Sequence, residues 1–413
     1  MNNTTTEIHK LIGEGSYGCI YSPNISCMGD NVDSEYISKI QILNNMEFAQ
    51  FNIINSKDEF NEMNLMVGII RETYFGKFIT NMDSYYQYFA PIIKSCQVDI
   101  NILQNIEKNK CHLFRDNITN QDKDEKKYIS SKITFIDGPK LNIVFSKLIG
   151  ENKINEQIIK TFYHLMKGLK LLNKSIIHYD LKNDNIIFDK KRGIPIIIDF
   201  GLSFNISSLL NAETPQQLEN IFYIYYNKYL PWCFEISVLS YIVQNILFDD
   251  EKIKTDINSE ININEINKLK SVIYYDFIKK KVLDPFVGNI LSTGDINKMQ
   301  KNIEDYFDYW INNDGDGVVN KTWKELINDL KQHYMSWDVY SVCICYLEYM
   351  KKCKLIHREN ENSEDYIIDD ILDDFYIILK ETLLFIPKVG NGKDNIKRKS
   401  AIDLVSILEN IKF

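Results

Sequence analysis

Asp180, Lys182, Asn185 and Asp199 lie in one stretch, Ile176 to Gly201, that reads IIHYDLKNDNIIFDKKRGIPIIIDFG. Carboxylate and amide oxygens are the donors that a hard cation such as magnesium takes. A carboxylate can also accept a proton, and a lysine is a fixed positive charge, so these residue types together suit phosphoryl transfer. The apolar runs Ile186 to Phe188 and Ile196 to Ile198 flank Asp189 to Gly193, whose Asp and Gly carry turn signals; a β-hairpin is predicted. Pairing the runs about that turn sets Asn185 opposite Asp199, two oxygen ligands at the open end of the hairpin. Asp180 and Lys182, two apart in the loop feeding the first strand, can point the same way.

Upstream, Gly13, Gly15 and Gly18 form a G-x-G-x-x-G pattern. A dinucleotide-binding turn would need a helix to start inside the motif, with an acid some way on, which Asp33 could supply. The residues after Gly18, Cys-Ile-Tyr-Ser-Pro, suit a strand ending at Pro23 instead. Two strands with glycines at the bend are therefore predicted, and missing side chains there let backbone amides approach phosphates. Lys39 is the only Lys or Arg between Lys10 and Lys57. From Lys57 to Arg71, Phe60, Met63, Met66 and Val67 recur at helical spacing, which predicts an amphipathic helix. Asn155 to Leu172 shows the same periodicity through Ile158, Ile159, Phe162, Leu165, Met166 and Leu169 and predicts a buried helix. Tyr88 to Val98 reads as a strand region, and the polar stretch from Asp99 to Lys127 as a solvated surface insertion.

The run His178-Tyr179-Asp180-Leu181-Lys182-Asn183-Asp184-Asn185 resembles the catalytic loop of eukaryotic-type Ser/Thr protein kinases, and Asp199-Phe200-Gly201 resembles their magnesium-binding triplet. The resemblance implies an α+β, two-lobed kinase-like fold with ATP and Mg2+ as cofactors. A small β-rich lobe with one main helix would span 1–148, with a surface insertion at about 99–140, and a mostly helical lobe would span 149–413, with an insertion at about 236–335. Ile12, Gly13, Gly15, Ser16, Tyr17, Gly18 and Ile20 would close over the nucleotide. Lys39 would contact its phosphates, held by Glu62 or, as the alternative, Glu59; Glu62 is favoured because Glu-Met-Asn-Leu-Met follows the family's apolar spacing. Asn185 and Asp199 would hold the metal, Asp180 would take the acceptor's proton, and Lys182 would stabilise the transferring group and favour the Ser/Thr class over the tyrosine class. Leu141 to Gly150 resembles the last small-lobe strand running into the hinge, with Ser146 to Leu148 facing adenine. Asp338 would hold the catalytic-loop backbone from a helix opened by Trp337, and Arg398 would pair with Glu235.

The chain departs from the family's pattern in three places. Ile37 stands where a small residue is usual near adenine, Phe234 comes between the Pro and Glu that end the activation segment, and Tyr179 replaces the Arg that receives an activating phosphate. The last departure predicts activity without activation-segment phosphorylation. The Asn/Ile/Lys-rich character, Tyr179 and the long insertion together resemble kinases of giant, mimivirus-like DNA viruses, with the host cytoplasm or the virion as the implied location.

Composition bounds the alternatives. With 413 residues the chain can bury a core without staples, and a net charge of -9 speaks against a non-specific nucleic-acid binder, which needs excess Lys and Arg. The eight cysteines show no zinc-type spacing and predict reduced thiols in a cytosolic compartment. No apolar run is long enough for a membrane helix. Asn312 to Gly317 resembles the start of a calcium loop, but Trp323 stands where the bidentate Glu would be, so a glycine turn between helices is the reading. Two other functions stay in view. A small-molecule phosphotransferase shares the Asp-to-Asn spacing but would not need Lys182, Asp338 or the Arg398 pairing, and a catalytically silent scaffold would not need an intact set of core residues.

Overall fold

The computed structural model describes residues 9–15, 18–27, 31–56, 68–99, 111, 126–147, 154–249, 252–283, 291–311, 321–352, 370–388 and 397–410. It is an α+β chain that divides into two compact units, the first made of residues 1–138 and 187–203, the second of 139–186 and 204–413. The first unit therefore ends ten residues before the expected lobe boundary and takes in most of the Asp199 hairpin.

The first unit is built on an antiparallel sheet. Strands β1 (Lys10–Gly15), β2 (Gly18–Ser22), β3 (Tyr36–Leu43), β5 (Ile92–Val98) and β6 (Lys127–Thr134) lie in the order β1-β2-β3-β6-β5. The glycine motif does sit on the bend between two paired strands, with Gly15 opposite Gly18. A side chain at Gly18 would press within 2.9 Å of Gln41 and 3.0 Å of the Ile40 carbonyl, so this glycine lets β2 lie close on β3 whether or not a ligand is present. One face of the sheet buries Cys19, Tyr21, Ile25, Ile40, Val98 and Tyr128. The other is covered by helix α1 (Asn45–Ser56) and helix α2 (Gly68–Thr80), which pack Phe51, Ile54, Ile69 and Ile70 against Leu43 and Ile129. A second, smaller sheet joins β4 (Phe89–Ala90) to the predicted hairpin, β8 (Ile186–Asp189) and β9 (Ile194–Ile198). The turn of that hairpin closes through the Gly193 amide, which donates to the Asp189 carbonyl at 2.8 Å with Gly193 at φ 70°, a conformation glycine adopts without penalty.

Two expectations for this region fail. β6 falls inside the stretch read as a surface insertion, yet it is an inner strand of the sheet, paired on both sides with β3 and β5. Its inward positions Ser130 and Ser131 are polar, which hid it, and their hydroxyls are satisfied by Ser38 at 2.9 Å and Ser95 at 2.8 Å. Residues 141–147, read as the strand entering the hinge, form helix α3 (Leu141–Lys147), which belongs to the second unit.

The reduced-thiol expectation is also corrected. Cys19 is bonded to Cys111 and Cys27 to Cys96, while Cys233, Cys343 and Cys345 are free and buried; Cys353 lies outside the described residues. The bridges anchor residue 111 to β2 and residue 27 to β5 and close loops spanning 92 and 69 residues, so each should stabilise the folded state by about 2 to 4 kcal/mol through the entropy it removes from the unfolded chain. Urea titration of a Cys27→Ser/Cys96→Ser variant against the parent, without reductant, is expected to show a loss of that size. An unchanged midpoint would mean that these two sulfurs are not joined.

The second unit is mostly helical. Helix α4 (Ile154–Leu172), predicted from its apolar periodicity, and helix α9 (Trp337–Lys352), implied by the resemblance, form its centre, flanked by α10 (Asp370–Leu384) and α11 (Ala401–Asn410). Helix α5 (Phe234–Ile242) begins the long insertion, followed by α6 (Ile263–Ile273), α7 (Thr293–Ile311) and α8 (Trp323–Lys331). Phe234 packs against α7 and the helical turns that follow α6: its ring lies 5.4 Å from Tyr306 and 6.0 Å from both Phe277 and Phe307. The residue that interrupts the Pro-Glu pattern is thus the aromatic anchor of the insertion. The turn at residues 312–317 lies outside the described residues. No described helix is long and apolar enough to cross a membrane.

Candidate functional site

In the first unit, β3 carries Lys39 and α2 carries Glu72, whose side chains meet at 2.7 Å with little exposure, 15% and 5%. The sequence offered Glu62 or Glu59 as this partner; both lie outside the described residues, and the carboxylate on Lys39 is that of Glu72. The helix that delivers it runs from Gly68 to Thr80, beginning where the predicted one was to end. Asp199, directly after β9, stands 3.9 Å from the Lys39 ammonium and keeps 44% of its side chain exposed. Burial pulls the Lys39 pKa down, but the Glu72 and Asp199 charges and the hydrogen bond to Glu72 outweigh it, and the ammonium is held above the usual lysine range. Burial also lifts the Glu72 carboxyl above its ordinary value, against the pull of Lys39. Asp199 adopts φ 64°, in the left-handed region, and its Oδ1 accepts the Gly201 amide at 3.3 Å. Phe200 is fully buried edge-on to Phe89 at 6.0 Å, which pins the chain beside that carboxylate. Of the other residues expected over a nucleotide, Ile12, Gly13, Gly15, Gly18 and Ile20 lie on β1 and β2, whereas Ser16 and Tyr17 lie outside the described residues.

In the second unit, the loop from His178 to Asn185 is set by Asp338. Its Oδ2 accepts the His178 amide at 2.9 Å and the Asn173 side chain at 2.9 Å, and its Oδ1 accepts the Tyr179 amide at 3.0 Å. A buried carboxylate with three donors is well satisfied and fixes the backbone it holds. Tyr179 takes φ 69°, a cost of about 1 to 3 kcal/mol for a non-glycine residue, which the packing around it must offset. Its ring sits 5.0 Å from Trp232 and 5.3 Å from Phe204, and the Trp232 indole donates to the Tyr179 carbonyl at 3.1 Å.

This strained turn presents Asp180, which is only 7% exposed. Lys182 donates to both of its oxygens, at 2.9 and 3.2 Å, and the Asn185 amide donates to Oδ2 at 3.0 Å and to the Asp180 carbonyl at 2.8 Å. The amide nitrogen of Asn185 is thereby occupied, which leaves Oδ1 as the atom it can offer a cation. Asn183 is tied to Glu348 at 2.8 Å and to the Tyr349 hydroxyl, so both sides of the loop are fastened to α9. Asp180 has one more partner that sequence reading did not supply: the Tyr229 hydroxyl donates to its Oδ1. Tyr229 is one of 25 tyrosines and carries no pattern that would single it out.

The predicted Arg398 to Glu235 ion pair is present at 2.9 Å with both side chains fully buried. Among the described residues the one cluster of three potential metal-binding side chains is Glu14, Cys19 and Cys111, and its two sulfurs are joined to each other, so it offers no thiolate. Comparison with protein-family models and with curated proteins finds no match to this chain.

Proposed function

We propose that the chain is an ATP- and magnesium-dependent protein kinase of two-lobed fold that transfers the γ-phosphate to Ser and Thr hydroxyls. The observation that carries this reading is Asp180, a buried carboxylate oriented by Lys182 and Asn185 on a loop whose backbone is held by Asp338 in a strained turn. Strain of this kind concentrates at functional sites, because the surrounding fold must be arranged to sustain it.

In this reading Asp180 accepts the proton of the acceptor hydroxyl, and Lys182 sets a positive charge beside the group in transfer. Lys39, steadied by Glu72, holds nucleotide phosphates; its raised pKa keeps it charged at any physiological pH. The exposed carboxylate of Asp199 and the Oδ1 of Asn185 are hard oxygen donors of the kind magnesium takes, and the ion, when bound, would neutralise charge on the phosphates. Tyr179 brings no cation to receive an activating phosphate, its ring being buried among aromatic neighbours, which supports activity without phosphorylation of the activation segment.

Transfer from radiolabelled ATP to generic Ser/Thr acceptors tests the proposal. The parent is expected to label them only with magnesium present. Glu72→Gln is expected to lose about 100-fold, the usual cost of freeing one charge-positioning contact, while Glu62→Gln stays near the parent. Absence of magnesium-dependent transfer in the parent would overturn the reading.

A further inference from the structure

We propose that Tyr229 is an internal occupant of the acceptor position, so that a protein substrate reaches Asp180 only after this phenol has swung away. The inference rests on the phosphotransfer reading above, since it assigns a place to the acceptor in that reaction. An acceptor hydroxyl must come within hydrogen-bond reach of the base that takes its proton. Of the two Asp180 oxygens, Oδ2 is engaged by Lys182 at 2.9 Å and Asn185 at 3.0 Å, whereas Oδ1 has only the longer Lys182 contact of 3.2 Å and the Tyr229 hydroxyl. A hydroxyl donating to Oδ1 is what an acceptor must supply, and Tyr229 supplies it from within the chain. The Lys182 ammonium also lies 5.7 Å from the centre of the same ring.

The segment around Tyr229 seats the ring against a fixed surface while leaving it partly exposed. Trp232 is fixed, buried and bonded to the Tyr179 carbonyl, and it gives Tyr229 an edge-on aromatic surface at 5.1 Å. Tyr229 itself is only partly buried and sits in a turn between regular elements, its amide donating to the Tyr226 carbonyl at 3.2 Å. Burial, the Asp180 charge and the hydrogen bond to it hold the phenol well above its ordinary pKa, so it remains a donor.

A hydroxyl bound to an ionised carboxylate is one of the stronger hydrogen bonds, and a competitor held this way leaves roughly a tenth of sites open. The apparent affinity for an acceptor falls by that fraction. Steady-state kinetics on Tyr229→Phe, which keeps the ring on Trp232 but cannot donate, is therefore expected to show a KM for the acceptor about 10-fold lower than the parent. Turnover at saturation and the KM for ATP should stay unchanged, while the urea midpoint falls slightly with the lost hydrogen bond. Tyr229→Ala, which clears the position altogether, should lower the acceptor KM at least as far. An acceptor KM that stays put or rises, or a turnover that falls with it, while the parent transfers phosphate, overturns the gate and leaves the kinase reading standing. If the folded parent and both variants transfer phosphate to no acceptor, the kinase reading fails and the gate fails with it.

Discussion

Replacing Arg398 by methionine is expected to lower the unfolding free energy by about 3 to 5 kcal/mol, because it strands a buried carboxylate without its counter-charge. The pair it breaks has 0% exposure on both sides. Arg398 also donates to the Ser336 hydroxyl and to the Thr382 and Phe385 carbonyls, each at 3.2 Å, so three further acceptors lose a partner. Burial pushes the Glu235 carboxyl up, but the Arg398 charge and its hydrogen bond pull it below the ordinary range. The sign of the pH dependence follows. A depressed carboxylate adds stability that is fully present above its unfolded pKa, about 4.3, and is lost as pH falls through the lower folded value. Urea titration of Arg398→Met at neutral pH should show the full loss, and the gap to the parent should narrow in strong acid. Once Arg398 is gone, the remaining cost is that of the stranded carboxylate itself. A second change, Glu235→Leu in the Arg398→Met background, is expected to recover much of the loss, and a double variant no better than the single would argue against a charge effect.

What the sequence made legible, and what it hid, divide along physical lines. The β8–β9 hairpin was readable because its apolar runs and its Asp and Gly turn residues are local signals, and helix α4 because its apolar residues recur at helical spacing, whereas α9, buried almost all round, was readable through the resemblance. Asp338 and the Arg398 to Glu235 pair were readable only through the resemblance, since each acts across more than 150 residues of sequence. Strand β6 was missed because its buried positions are serines that answer one another across the sheet rather than apolar residues that announce burial. Glu72 was missed because a polar stretch before it carried a competing helical pattern, and nothing local distinguishes one helical glutamate from another. The disulfides could not be read at all: Cys111 sits in a charged, polar stretch, and its partner lies 92 residues away. Tyr229 has the same difficulty, its meaning coming entirely from the carboxylate it touches.

The Asp180→Asn substitution tests that carboxylate most directly. Three side chains converge on it as donors, Lys182, Asn185 and Tyr229. An amide can keep its oxygen toward Lys182 and Asn185 and turn its nitrogen toward Tyr229, whose hydroxyl can accept as well as donate. The fold around the loop should therefore survive, with Asp338 still holding the His178 and Tyr179 amides. What disappears, on the kinase reading proposed above, is the proton acceptor, a contribution of about 10²- to 10⁴-fold in rate. Single-turnover transfer from radiolabelled ATP is expected to fall by that factor, while nucleotide binding, which this reading assigns to Lys39 and Asp199, stays close to the parent. Transfer within about 10-fold of the parent would place the base elsewhere, since a neutral amide cannot supply even the lower end of that contribution.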